Sequence, residues 1–229
     1  MSKRMTITAG CASLLATAPL DPLFRLFSWQ LYAIGPVVVV TATALGARGL
    51  RAPVWAQLGA MAGAHVLLLS WLFGGATTIL GIVPTPGTVV HFASLLRHAA
   101  SDAQKLAAPV PDTEGLLFAV AASIGAVAIL IDMLAVGIGQ PALAGLPMLA
   151  IYSVPVAVLS GSVSFLGFAL STAGFLWLLA AHHIEHVRRW GRRFTGDGRD
   201  VDPWEGSPLA AAGRRLGLIG IVAAVLIPL

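Results

Sequence analysis

One ionisable side chain stands alone in a long apolar run. From Leu116 to Ile138 the only charged residue is Asp132. A carboxylate near the middle of a bilayer costs about 2.5–3.5 kcal/mol on insertion scales, so it has to be protonated or paired inside a helix bundle. Two roles fit: a proton or ion relay, or a polar contact that locks helices together. Candidate partners at similar depth are Thr41, Thr43 and a snorkelling Arg214 or Arg215. A second cluster is His182, His183, Glu185 and His186. His182 and His186 stand at i, i+4 on one helical face, a spacing that can chelate zinc. The glutamate that an HExxH base requires directly after the first histidine is missing, so the pair is a weak metal candidate and interfacial anchoring competes with it. Asp197, Asp200 and Asp202 do not match calcium-loop spacing. The single cysteine, Cys11, excludes an internal disulfide and a cysteine metal cluster. With no phosphate loop, nucleophile elbow or dinucleotide fingerprint, the sequence offers no catalytic residue and no cofactor site.

The elements that would position Asp132 are apolar helices. Hydrophobic residues make up 57% of the 229 and charged ones 10%, with a mean hydropathy of +0.86. A soluble domain carries about a quarter charged residues, so lipid is the expected solvent. The expected fold is all-α, a polytopic transmembrane bundle of about seven spans in one domain, over residues 5–20, 29–46, 54–73, 115–138, 142–159, 164–182 and 214–229. The first run also has the look of a signal peptide, with Ala16-Thr17-Ala18 imitating a cleavage site. Pro19 would hinder that cleavage, so a retained span is expected. Trp29, Tyr32, Trp55 and Trp71 lie near run ends, as interfacial aromatics do. Pro147 and Pro155, with Gly145, could open a midplane pocket or simply kink the fifth span. Gly59/Gly63 and Ala60/Ala64 give small-xxx-small spacing, which predicts close helix contact.

Between the third and fourth runs the sequence predicts one amphipathic helix over residues 86–107, capped by Thr85 with Pro86 at the first position. Phe92, Leu95, Leu96, Ala99, Ala103 and Leu106 form its apolar face, and His91, Ser94, His98, Ser101, Asp102 and Lys105 the polar one. It is too polar to span and would lie in the interface plane or roof the bundle. With the N-terminus inside, eleven Lys and Arg fall on the cytoplasmic side, many of them in a basic loop at 183–213. Only Arg25, Arg97 and Lys105 fall outside. That asymmetry predicts a plasma-membrane protein with its C-terminus outside and the amphipathic helix extracytoplasmic. It also explains the pI near 10.0 without nucleic acid.

The stretches APVPDTEGLLFAV, LIDMLAV, QPALAGLPMLAIYSVP and AAAGRRLGLIGIVAAVLIPL resemble, in that order, the N-terminal membrane domain of TgpA-type transglutaminase-like proteins of actinobacteria. The resemblance implies a non-catalytic anchoring module for an extracytoplasmic Cys-His-Asp domain, which would follow where this sequence stops. Cys11 matches no catalytic motif of that domain. The resemblance further implies MoxR-type AAA ATPases and von Willebrand factor A-like proteins as cytoplasmic partners. A reading from a different class is a small transporter or channel subunit working through Asp132.

Overall fold

The computed structural model describes residues 3–105, 108–158 and 164–190, the final five by backbone alone. Among these residues seven α-helices follow one another: α1 (Lys3–Ala16), α2 (Ser28–Gly49), α3 (Val54–Phe73), α4 (Pro86–Lys105), α5 (Glu114–Asp132), α6 (Gly145–Val158) and α7 (Phe165–Trp190). Among the described residues there is no strand, only two isolated bridges. Two compact units divide the chain, Met1–Leu178 and Leu179–Leu229. The described part of the second, residues 179–190, is the C-terminal portion of α7.

Among the described residues five segments are long and apolar enough to cross a membrane: Ser28–Gly49, Val54–Phe73, Glu114–Gly137, Pro141–Val158 and Phe165–Glu185. The other two expected spans stand differently. Helix α1 has 14 residues, about 21 Å at 1.5 Å per residue, short of the roughly 30 Å of hydrocarbon. The 3-10 turn over Ala18–Leu23 prolongs it, and the segment runs inside the bundle, with Thr6, Ala9, Ala12 and Ala16 almost wholly buried. The seventh run, 214–229, lies outside the described residues.

Helix α5 is the axis of the first unit. Half of its apolar window is buried, against a third or less in the other four candidate spans, and it touches α1, α2, α3, α4 and α6. Its start is dictated locally. Thr113 has extended backbone and its hydroxyl accepts from Leu116 N, while Glu114 places a negative charge in the first turn. The lead-in is clamped as well: Val110 N donates to Leu23 O at 2.8 Å, Arg25 N to Val110 O at 3.2 Å, and Ser28 Oγ to the Asp112 carboxylate.

Small residues set the helix spacing, but not the ones the spacing in α3 predicted. At Gly59 and Gly63 a side chain would meet only open space, and both are exposed with Ala60. The stripe α3 buries is Gln57, Met61, His65 and Leu69, because these heavier side chains fill the space against α2 and α5. Close approach occurs at Gly10, where a Cβ would collide with Thr41 of α2, and at Gly125, where it would overlap the His65 ring. Trp29, expected at an interface, is 2% exposed and stacks on Phe24, whereas Trp55 and Trp71 are open.

Helix α4 roofs the end of the bundle where α3 finishes and α5 begins. Phe73, Phe118 and Phe92 form a chain of ring contacts with centroids 5.3 and 4.7 Å apart. Thr85 and Thr88 cap the helix reciprocally: Thr85 N donates to Thr88 Oγ1 at 3.0 Å and Thr88 N to Thr85 Oγ1 at 3.4 Å. The apolar face is narrower than its periodicity suggested. Thr88, Leu95 and Ala99 are buried and Phe92 is half-buried, but Leu96 and Ala103 are exposed. His91 and Asp102 turn toward the bundle instead, bonding Phe73 O and Thr113 Oγ1.

Candidate functional site

Three helices bring polar groups together at the end of the bundle opposite α4. Arg48 lies in the last turn of α2, one helical repeat beyond the buried residues Val37, Val40 and Ala44. That register turns it inward, although it stands close to the end of an apolar run. It meets Asp132, which ends α5 in register with the buried Ala121, Gly125 and Ala128. Arg48 Nη1 donates to Asp132 Oδ1 at 3.0 Å and Nη2 to Oδ2 at 2.6 Å. Nη1 also donates to Thr6 Oγ1 of α1 at 2.7 Å. The two side chains are only 9% and 6% exposed. This fork-on-fork pairing with a third helix supplying an acceptor is among the stronger polar contacts a protein makes. Among the described residues Arg48 Nε is buried without a partner.

Just past Asp132 the helix widens. Residues Met133–Gly137 form a π-helical turn, with Ile138 N donating to Met133 O at 2.8 Å. Such single π turns within α-helices are rare and occur frequently at functional sites. Here the widening begins one residue after the carboxylate that Arg48 holds.

A second polar site sits midway along α3. His65 is 6% exposed, and its Nε2 lies 3.2 Å from Ala122 O of α5. The absent side chain of Gly125 makes the room for its ring. Among the described residues, His65 Nδ1, Gln57 Oε1 and Ser70 Oγ, all on α3, are buried without a partner. A neutral imidazole whose Nε2 donates to a backbone carbonyl presents Nδ1 as an acceptor.

Of the sequence-predicted partners of Asp132, the two threonines are placed elsewhere. Thr41 faces Gly10 of α1, and Thr43 Oγ1 bonds Val39 O of its own helix at 2.7 Å. Arg214 and Arg215 lie outside the described residues, as do Asp197, Asp200 and Asp202. Arg48, taken from sequence only as a marker of topology, is the partner. The register of the buried α2 stripe was the signal that could have found it. His182 lies on α7 and the side chain of His186 lies outside the described ones; among described residues no group of three His, Cys, Asp or Glu is arranged to hold a metal. Cys11 is a free thiol, half-buried on α1.

The site therefore fastens α1, α2 and α5 to one another at one end, and α3 to α5 at mid-length. Comparison with curated proteins found no match, and comparison with solved structures found none either. The family model described as the TgpA N-terminal domain matches residues 11–229, all but the first ten of the chain, and the protein belongs to that family.

Proposed function

We propose that this chain is the membrane-anchoring N-terminal module of a transglutaminase-like cell-envelope protein, and that it positions an extracytoplasmic Cys-His-Asp domain rather than catalysing a reaction itself. The family match over residues 11–229 carries the reading. The five apolar helices support it from a separate direction, because their length and composition suit a multi-pass protein of the bacterial plasma membrane. The distribution of Lys and Arg favours an N-terminus in the cytoplasm and a C-terminus outside. On that orientation the α4 roof is extracytoplasmic, and the basic stretch 183–213 would be the part of the sequence met by MoxR-type ATPases and von Willebrand factor A-like proteins.

Asp132 fits a tether better than a relay. Both of its oxygens accept from Arg48, so a proton would have to displace a bidentate cation to bind there. Positioning a domain calls for a rigid platform, and a charge-assisted lock among three helices supplies one. The test is a pair of fusions after Leu229 in a bacterial host, one to alkaline phosphatase and one to a cytoplasmic fluorescent reporter. The reading expects phosphatase activity, a dark cytoplasmic reporter, and a chain that stays with the membrane through alkaline carbonate washing. A chain released by carbonate, or the opposite reporter pattern, would refute it.

A further inference from the structure

The short connection between α3 and α4 is built in an unexpected way. Ile79 and Val83 pair across a tight turn, with Ile79 N donating to Val83 O at 3.0 Å and Val83 N to Ile79 O at 3.1 Å. The base of the turn is fixed by hydroxyls: Thr85 Oγ1 and Thr88 Oγ1 both donate to Thr77 O, at 2.6 and 2.8 Å. At the tip Leu80 and Gly81 have φ of +55° and +74°. That conformation is normally given to Gly, Asn or Asp, and a bulky aliphatic residue in it is a rarity. Leu80 nevertheless occupies the first of these positions and is 91% exposed. The turn's own chemistry calls for a small or polar residue there, so the leucine is explained by what its side chain meets beyond the turn.

The surroundings indicate what that is. Ile79, Ile82 and Val83 are exposed beside Leu80, and Val89 and Val90 extend the patch onto the first turn of α4. No Asp, Glu, Lys or Arg occurs from Gly74 to Leu96, and the one ionisable group, His91, is turned onto Phe73 O. Protein-binding patches carry polar rims and are enriched in aromatics and arginine; this one is aliphatic and uncharged throughout. It also starts a few residues beyond α3, whose last turn exposes Trp71, the residue type that marks the boundary of a bilayer. The exposed cations of the roof, Arg97 and Lys105, stand in the later turns of α4, away from the turn in sequence.

We propose that the Ile79–Val83 turn, with Val89 and Val90, is a preformed wedge that inserts into the lipid leaflet on the α4 side of the bundle. Its occupant is acyl chain rather than protein, which makes α4 a monotopic helix held at the interface by its leading end. The inference rests on the membrane reading above. The experiment separates the two by placing single cysteines at Leu80, Val66 and Arg97 of the full chain carrying Cys11→Ser, in phosphatidylethanolamine–phosphatidylglycerol vesicles. Each is modified with a nitroxide, and its collision rates with molecular oxygen and with a water-soluble nickel chelate are compared. Val66 is exposed midway along α3 and reports whether that helix is in hydrocarbon at all. The wedge requires oxygen to exceed the chelate at Leu80 and Val66, with the reverse at Arg97. A Leu80 label as open to the chelate as the Arg97 label places the turn in water and overturns the wedge while leaving the membrane reading intact. A Leu80 label shielded from both reagents means protein covers it, which also overturns the proposal. A Val66 label open to the chelate removes the membrane reading and the wedge with it.

Discussion

The two ends of the bundle are held together by different chemistry. At the α4 end the contacts are numerous and mostly neutral: the Thr77, Thr85 and Thr88 hydroxyls, His91 on Phe73 O, and backbone bonds that tie Val110 to Leu23 and Arg25. At the other end a single charged fork, Arg48 on Asp132 with Thr6, joins three helices. Neutral bonds each contribute about 0.5–1.5 kcal/mol net and can substitute for one another. A buried ion pair cannot be thinned in that way, because removing one partner strands the other's charge, at about 3–5 kcal/mol. The roof is therefore redundant, whereas the opposite end depends on a pair of side chains.

That contrast sets the order of expected effects. Asp132→Ala or Arg48→Ala should lower the unfolding free energy in detergent micelles by about 3–5 kcal/mol, the largest of these losses. Gly125→Ala should follow. The added methyl meets the His65 ring between two packed helices, and overpacking of this kind costs about 1–3 kcal/mol; the variant's thermal midpoint in micelles is the check, and a loss equal to that of Asp132→Ala would blur the contrast. Thr88→Val should cost only about 1 kcal/mol, because Thr85 Oγ1 still serves Thr77 O once the Thr88 hydroxyl is gone. Gly63→Ala should be the mildest and of opposite sign, a gain of about half a kcal/mol, since nothing lies within reach of the new Cβ. If Gly63→Ala instead destabilised the chain as much as Gly125→Ala, the exposed face of α3 would be a contact surface.

Much of this architecture could be read from the sequence, for reasons that differ by element. The long runs of α2, α3 and α5 declare themselves by length alone, and the Thr85-Pro86 start of α4 follows from local capping chemistry. The apolar run of α1 was legible as well, but its enclosure by other helices was not, because composition does not separate a lipid-facing helix from a buried one. In α3 the glycine spacing pointed to the wrong face. Small residues permit close contact without requiring it, while Met61 and His65 had a filled interior to meet. Asp132 was conspicuous as the lone charge of its run, but its partner was not. Arg48 sits where topology alone accounts for a cation, and only the helical register it shares with Val40 and Ala44 sends it inward. His65 was hidden for a related reason: one histidine among apolar residues carries no pattern until the gap at Gly125 is seen across from it.

The tether itself is best tested by a double-mutant cycle on Arg48→Met and Asp132→Leu, each alone and together, followed by unfolding in micelles. If the fork binds α2 to α5, the double variant should be more stable than either single one, with a coupling free energy above about 2 kcal/mol. Strictly additive losses would contradict the account, because they would mean that the two side chains stand close without depending on each other.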